Sequence, residues 1–277
     1  MTASSPLEQA LRRDRLIVGL GLAVLTALAI TYLAAGAGLD MSLADMTNTA
    51  LFPHRAPTGG MDGMAAPFAW SAPYAILMLA MWWVMMIAMM VPSAAPMMLL
   101  YAGVARREEE RQPTSLYGLR KTGLFLAGYL VTWLAFSVAA TGLQWGLESS
   151  GLLSSMRMTS VSGWLSAAIL ALAGLYQWTP IKDVCLRHCR TPAAFLSHHW
   201  RPGRGGILGL GIRHGAYCVG CCWALMTLMF VGGVMNPVWI AAIAVLVLLE
   251  KTLPGGRWLP RLSGAALILW GAATLAV

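Results

Sequence analysis

The chain has 277 residues, 58% of them hydrophobic and 11% charged, with a formal net charge of +8 and a mean hydropathy of +0.67. So few charges cannot cover a water-soluble surface, and the composition excludes an ordinary soluble domain. The positive charge gives no reason to expect nucleic acid as a partner, because Lys and Arg fall in short clusters between long apolar runs rather than along one polar domain.

Crossing roughly 30 Å of hydrocarbon at about 1.5 Å per residue takes about 20 residues. Seven apolar runs predict transmembrane helices over 16–39, 73–91 with an extension to 101, 122–145, 161–178, 212–234, 237–250 and 262–277, the sixth being the shortest. The expected fold is therefore all-α, a polytopic transmembrane helix bundle of about seven spans forming a single integral membrane domain over 1–277. The first run has the basic lead of a signal peptide and small residues at Ala35, Gly36 and Ala37. Its apolar stretch is longer than a signal core, so it reads as an anchor helix. Segment 40–71, with Pro53, Pro57, Gly59, Gly60 and Pro67, reads as an exposed outer loop. In the second run, Pro92 and Pro96 each remove a helical donor, which predicts a kink. Segment 180–211 reads as a cytoplasmic loop rich in Cys, His and Arg, with a flexible Arg-Pro-Gly-Arg-Gly-Gly return.

Basic residues near helix ends favour the cytoplasmic side. With the N-terminus inside, the inner segments hold Arg12, Arg13, Arg15, then Arg106, Arg107, Arg111, Arg120, Lys121, then Lys182, Arg187, Arg190, Arg201, Arg204, Arg213, and last Lys251, Arg257, Arg261. Only Arg55 and Arg157 fall outside. This partition predicts seven spans with the N-terminus in and the C-terminus out.

All five cysteines lie between Cys185 and Cys222. Helical spacing puts Cys185 and Cys189 on one face, and likewise His214, Cys218 and Cys221 or Cys222. At a cytoplasmic membrane edge, thiols stay reduced and point to metal binding or redox exchange more than to structural disulfides. Thiolate and imidazole ligands suit a copper or zinc ion. Cys185, Cys189, His214, Cys218, Cys221, Cys222 and His188 are the candidate metal ligands. Close packing of small apolar cysteines is the plain alternative. His198 and His199 lie in the same segment, as ligands or as solvated residues, and Met61, Met64 and His54 are weaker candidates in the outer loop.

Met78, Met81, Met85 and Met89 share a helical face and could pass Cu(I) from thioether to thioether, or simply fill the core. Glu250, at the inner end of the sixth run, is costly in a membrane unless paired, with Lys251 or an arginine as the simplest partner.

The stretches Trp83-Val-Met-Met-Ile-Ala-Met-Met-Val-Pro92 through Pro96, Leu175-Tyr-Gln-Trp-Thr-Pro180-Ile-Lys with Cys185-Leu-Arg-His-Cys189-Arg, His214-Gly-Ala-Tyr-Cys218-Val-Gly-Cys221-Cys222-Trp-Ala-Leu-Met226 and Glu250-Lys-Thr-Leu-Pro254 resemble a bacterial family. It is domain of unknown function 2182, described as predicted metal-binding integral membrane proteins. The resemblance implies metal binding through Cys185, Cys189, His214, Cys218, Cys221 and Cys222, and a place in the bacterial cytoplasmic (inner) membrane.

The leading expectation is a metal-handling membrane protein that binds copper near the cytoplasmic face for transfer, delivery or sensing, with the lipid bilayer and a metal-acceptor protein as partners. A non-catalytic subunit of a larger membrane complex, with a structural Cys/His cluster, remains open. So does a thiol-disulfide oxidoreductase using Cys218 and Cys221.

Overall fold

The computed structural model describes residues 6–39, 42, 46–47, 70–109, 117–155, 158–201, 203–253 and 256–276. In chain order these form α1 (Pro6–Ala34), α2 (Ala72–Glu109), α3 (Tyr117–Ser149), α4 (Gly163–Tyr176), α5 (Pro180–Arg190), α6 (Pro192–His199), α7 (Gly203–Met226), α8 (Met229–Gly232), α9 (Pro237–Thr252) and α10 (Trp258–Ala276). Among the described residues there is no strand beyond an isolated bridge between Leu153 and Ser160. The expected outer loop lies almost wholly outside the described residues, with Arg55, His54, Met61 and Met64.

Five stretches are long and apolar enough to cross a membrane: Leu16–Ala34, Ala72–Ala105, Gly118–Ser149, Gly203–Gly232 and Trp258–Ala276. They fall on the first, second, third, fifth and seventh apolar runs. The fourth run becomes α4, of 14 residues, and the sixth becomes α9, of 16 residues. At about 1.5 Å per residue each is shorter than the hydrocarbon. Both start at caps, α4 inside the expected 161–178 and α9 at the expected start, though it runs two residues past 250. Ser162 accepts from the Leu165 N–H to start α4, and Asn236 accepts from the Val238 N–H, with Pro237 next, to start α9.

The same chemistry converts the expected 180–211 loop into helix. Thr179 accepts from the Lys182 N–H ahead of Pro180, Pro192 opens α6, and α7 begins at Gly203, well before Ile212. Helix α2 runs continuously through Pro92 and Pro96. The Met90 carbonyl, close to the first proline, accepts from the Tyr129 and Ser93 hydroxyls.

Helix α2 packs between α1 and α3, α3 packs on α7, α5 lies along α7, and α4 pairs with α10. The α3–α7 contact brings backbones together. A Cβ on Gly128 would lie 2.3 Å from the Leu208 carbonyl oxygen, and one on Gly211 would lie 2.1 Å from the Phe125 carbonyl oxygen. Glycine is required at both positions, as at other small-residue helix crossings in membranes. On the outside, Leu20, Leu28, Leu172 and Leu269 are 64–70% exposed. Such leucines suit lipid rather than water.

Gly211→Val should therefore push α3 from α7 and destabilise the fold by at least the 1–3 kcal/mol or so typical of overpacking. Gly209→Ala, where an added Cβ meets nothing within 4 Å, should be neutral. Thermal unfolding of the detergent-solubilised variants, followed by size-exclusion chromatography, measures the difference.

Candidate metal centre

Cys218, Cys221 and Cys222 lie on α7 with exposures of 0–1%, facing the helix bundle. All five cysteines are free thiols. The Cys221 and Cys222 thiols donate back to the Cys218 carbonyl at 3.1 and 3.0 Å, one turn earlier on the helix. The Cys222 Sγ is also 3.8 Å from the Met90 Sδ. Helix α5 adds Cys189, whose thiol meets the side chains of Cys218 and Cys221.

Two groups hold the Cys218 sulfur. The Tyr129 hydroxyl is 3.2 Å away, and the Lys251 ammonium donates to the sulfur at 3.0 Å and to Ser93 Oγ at 2.8 Å. Tyr129 has one hydrogen for either Cys218 or the Met90 carbonyl, so the donor between tyrosine and cysteine depends on whether the sulfur is a thiol or a thiolate.

His214, 3% exposed, stacks near Tyr129 at 5.8 Å between ring centroids, and its Nδ1 is buried with no hydrogen-bond partner. A buried ring nitrogen without a partner costs free energy unless a ligand or water reaches it. A cavity of about 250 Å³ joins this histidine to Ser93, Met97, Cys189, Arg190 and Lys251.

Other expected site residues lie on α5 and α6. The Cys185 sulfur faces Gly220, where a Cβ would lie 2.7 Å from it. His188 bonds the Val184 carbonyl at 2.8 Å and stacks on Tyr217 at 4.0 Å, and His198 bonds the Ala194 carbonyl. Burial, and then the nearby Cys221, push the Cys185 thiol up from its ordinary range. The Cys189 thiol is pushed up chiefly by its hydrogen bonds to Cys218 and Cys221, and then by burial.

Glu250 does not pair with Lys251. Its carboxylate takes Lys182 at 2.6 Å and Gln177 at 3.0 Å, both buried, while Arg190 donates to its backbone carbonyl at 2.6 Å. Neighbours in sequence on a helix point about 100° apart, which sends Lys251 towards Cys218 instead. Sequence reasoning missed Tyr129, Ser93 and Met90 around the sulfurs. The basic residue beside Glu250 was visible, but its direction was not.

Met78, Met81, Met85 and Met89 are all 0–2% exposed along α2. At one end Met78 accepts from the Gln144 amide at 3.6 Å, and Gln144 in turn donates to Glu148 at 2.8 Å and accepts from Trp82 at 2.7 Å. At the other end Met90 reaches Cys222.

Among the described residues no three His, Cys, Asp or Glu side chains are placed to hold a metal ion together. The donor set is therefore unlike a closed four-ligand zinc site. Clustered thiols, one thioether and an unpartnered imidazole nitrogen fit a soft ion of low coordination number.

Five helices long and apolar enough to cross a membrane, packed around buried cysteines, favour a membrane protein. The match to a family model over residues 79–274 is more specific: the chain belongs to the family described as PpoB2, copper chaperone. The metal-related part of the earlier resemblance is carried by this match, which names copper, whereas the name domain of unknown function 2182 is not. No curated protein and no solved structure matches the chain.

Removing the Glu250 charge leaves Lys182 buried without an anion. Glu250→Gln should lower stability by about 3–5 kcal/mol, and Lys182→Met in the same chain should restore much of it. Thermal unfolding of the two variants in detergent measures both effects.

Proposed function

We propose that the protein is a multi-pass membrane copper carrier that holds Cu(I) on the Cys218 cluster near the cytoplasmic face and passes it to an acceptor protein. The observation that carries this reading is the convergence of Cys189, Cys218, Cys221 and Cys222 with the Met90 thioether and the unpartnered His214 nitrogen, in a chain of a copper chaperone family. Cys218 is the central ligand, because Tyr129 and Lys251 hold its sulfur and stabilise its charge. Cys189, on the cavity wall, is the sulfur that an incoming or departing ion meets first.

The loop charges support seven crossings with the N-terminus in, α4 and α9 acting as short spans in a bacterial inner membrane. In this arrangement Met78, Met81, Met85 and Met89 form a thioether path through the bundle, and the Met90–Cys222 contact joins it to the thiols. Thioethers bind Cu(I) without losing a proton, so an ion can move along them without moving compensating charge. Cys185 and His188 serve, in this reading, as an auxiliary site on α5, Cys185 lying against Gly220 beside the cluster.

Cu(I) competition against a chromophoric chelator tests the ligand set. Wild-type protein should bind one Cu(I) tightly, and Cys218→Ser should weaken binding at least ~100-fold, about 2.7 kcal/mol. Wild-type protein that takes up no copper, or unchanged affinity when Cys218, Cys221 and Cys222 are all replaced by Ser, would sink the reading.

In vesicles, Met85→Leu with Met89→Leu should slow copper arrival at the cysteines severalfold and leave the final affinity unchanged. Equal arrival rates in variant and wild type would remove the methionine path.

A further inference from the structure

The turn between α6 and α7 borders a cavity of about 280 Å³ that shares no lining residue with the cavity at the thiols. Arg201 and Arg213 line it on either side, and His199 lines it as well, its Nδ1 donating to the Phe195 carbonyl at 3.0 Å. No acidic side chain is part of the lining. Among the described residues neither arginine has a carboxylate partner, the paired carboxylates being Glu250 with Lys182 and Asp183 with Arg257. Guanidinium groups stay charged at any working pH, so this positive charge is permanent.

Glycines give the cavity its shape. Gly205 and Gly209 line it one turn apart, on the face of α7 that carries Arg213. A Cβ on either glycine would meet nothing within 4 Å, so packing requires neither, and each weakens the helix relative to alanine. What their missing side chains provide is open space between the two arginines. Gly206 has a different part, since a Cβ there would lie 2.5 Å from the Arg201 carbonyl oxygen. Its bare backbone lets Arg201 close over the first turn of α7.

We propose that this cavity binds the phosphate of an anionic phosphate ester, with Arg201 and Arg213 pairing to its oxygens. Arginine matches phosphate geometry through two parallel N–H donors, and two unpaired guanidinium groups around open space form such a site. The cavity lies at the start of Gly203–Gly232, a stretch long and apolar enough to cross a membrane, where lipid headgroups would sit. Beyond it the same side of α7 continues with Ile212, 40% exposed, and the exposed Ala216, a smooth track for an acyl chain. A membrane lipid and a soluble phosphate ester share the chemistry that the arginines recognise.

Full-length protein in non-ionic detergent is titrated with dioleoylphosphatidylglycerol, dioleoylphosphatidylcholine and glycerol phosphate, and bound molecules are counted by native mass spectrometry. Arg201→Ala, Arg213→Ala and Gly209→Leu should each weaken binding of the phosphate ester at least about tenfold, the last by filling the cavity with both charges kept. Arg120→Ala, which removes an exposed charge from the start of α3, should stay within about twofold. Phosphatidylglycerol preferred over phosphatidylcholine, and not displaced by glycerol phosphate, assigns the cavity to a lipid. Glycerol phosphate that binds and displaces the lipid assigns it to a soluble ester.

Unchanged affinity in Gly209→Leu overturns the proposal, because attraction to surface charge alone would survive that change. So does a loss in Arg120→Ala as large as in Arg213→Ala. Should the variants fail to fold, wild-type protein that binds the two lipids equally and takes up no glycerol phosphate overturns it alone.

Discussion

Two consecutive residues on α9 tie the bundle together. Glu250 turns to Lys182 and Gln177 and so joins α9 to the α4–α5 corner. Lys251 turns to Ser93 and Cys218 and so joins α9 to α2 and α7. The Glu250–Lys182 contact places a buried charge against its opposite, and neither charge could remain buried alone. A helix of 16 residues, short for a membrane crossing, is thus fixed on two sides by interactions that fail if α9 shifts by one residue.

The thiol cluster depends on a second constraint, the backbone contact of α3 and α7. Gly128 and Gly211 let the two helices approach, and the residues beside that contact form the site. Tyr129 follows Gly128 directly, while His214 and Cys218 lie one and two turns beyond Gly211 on α7. The 3.2 Å contact of Tyr129 with Cys218 therefore follows from two glycines that carry no chemistry themselves. Gly220 does the same for α5, admitting the Cys185 sulfur where a side chain would block it.

Much of the helical character was legible from apolar runs, since a stretch such as 122–145 can only be buried in lipid or in protein. The clustering of cysteines was legible too, because helical spacing alone aligns His214, Cys218 and Cys222. The ends of α4 were harder, because hydropathy spreads past the start set by Ser162 and past Tyr176, whereas α9 starts at Pro237 as expected and runs two residues beyond the apolar run, to Thr252. Cap and proline pairs at Thr179-Pro180 and Thr191-Pro192 were the available sign that 180–211 is helical rather than looped, but its polarity concealed it. The partners of Cys218 come from α2, α3 and α9, and no local pattern states which faces of distant helices meet.

The burial of the α2 methionines has a chemical consequence of its own. Copper that cycles between its oxidation states generates peroxide-derived oxidants, and methionine is among the first side chains they convert, to a polar sulfoxide that no longer suits a packed core. Met78, Met81, Met85, Met86, Met89 and Met90, all 0–2% exposed, are shielded from oxidants arriving through water. Loosening that helix would open these thioethers to oxidation, and each sulfoxide formed would weaken the packing further.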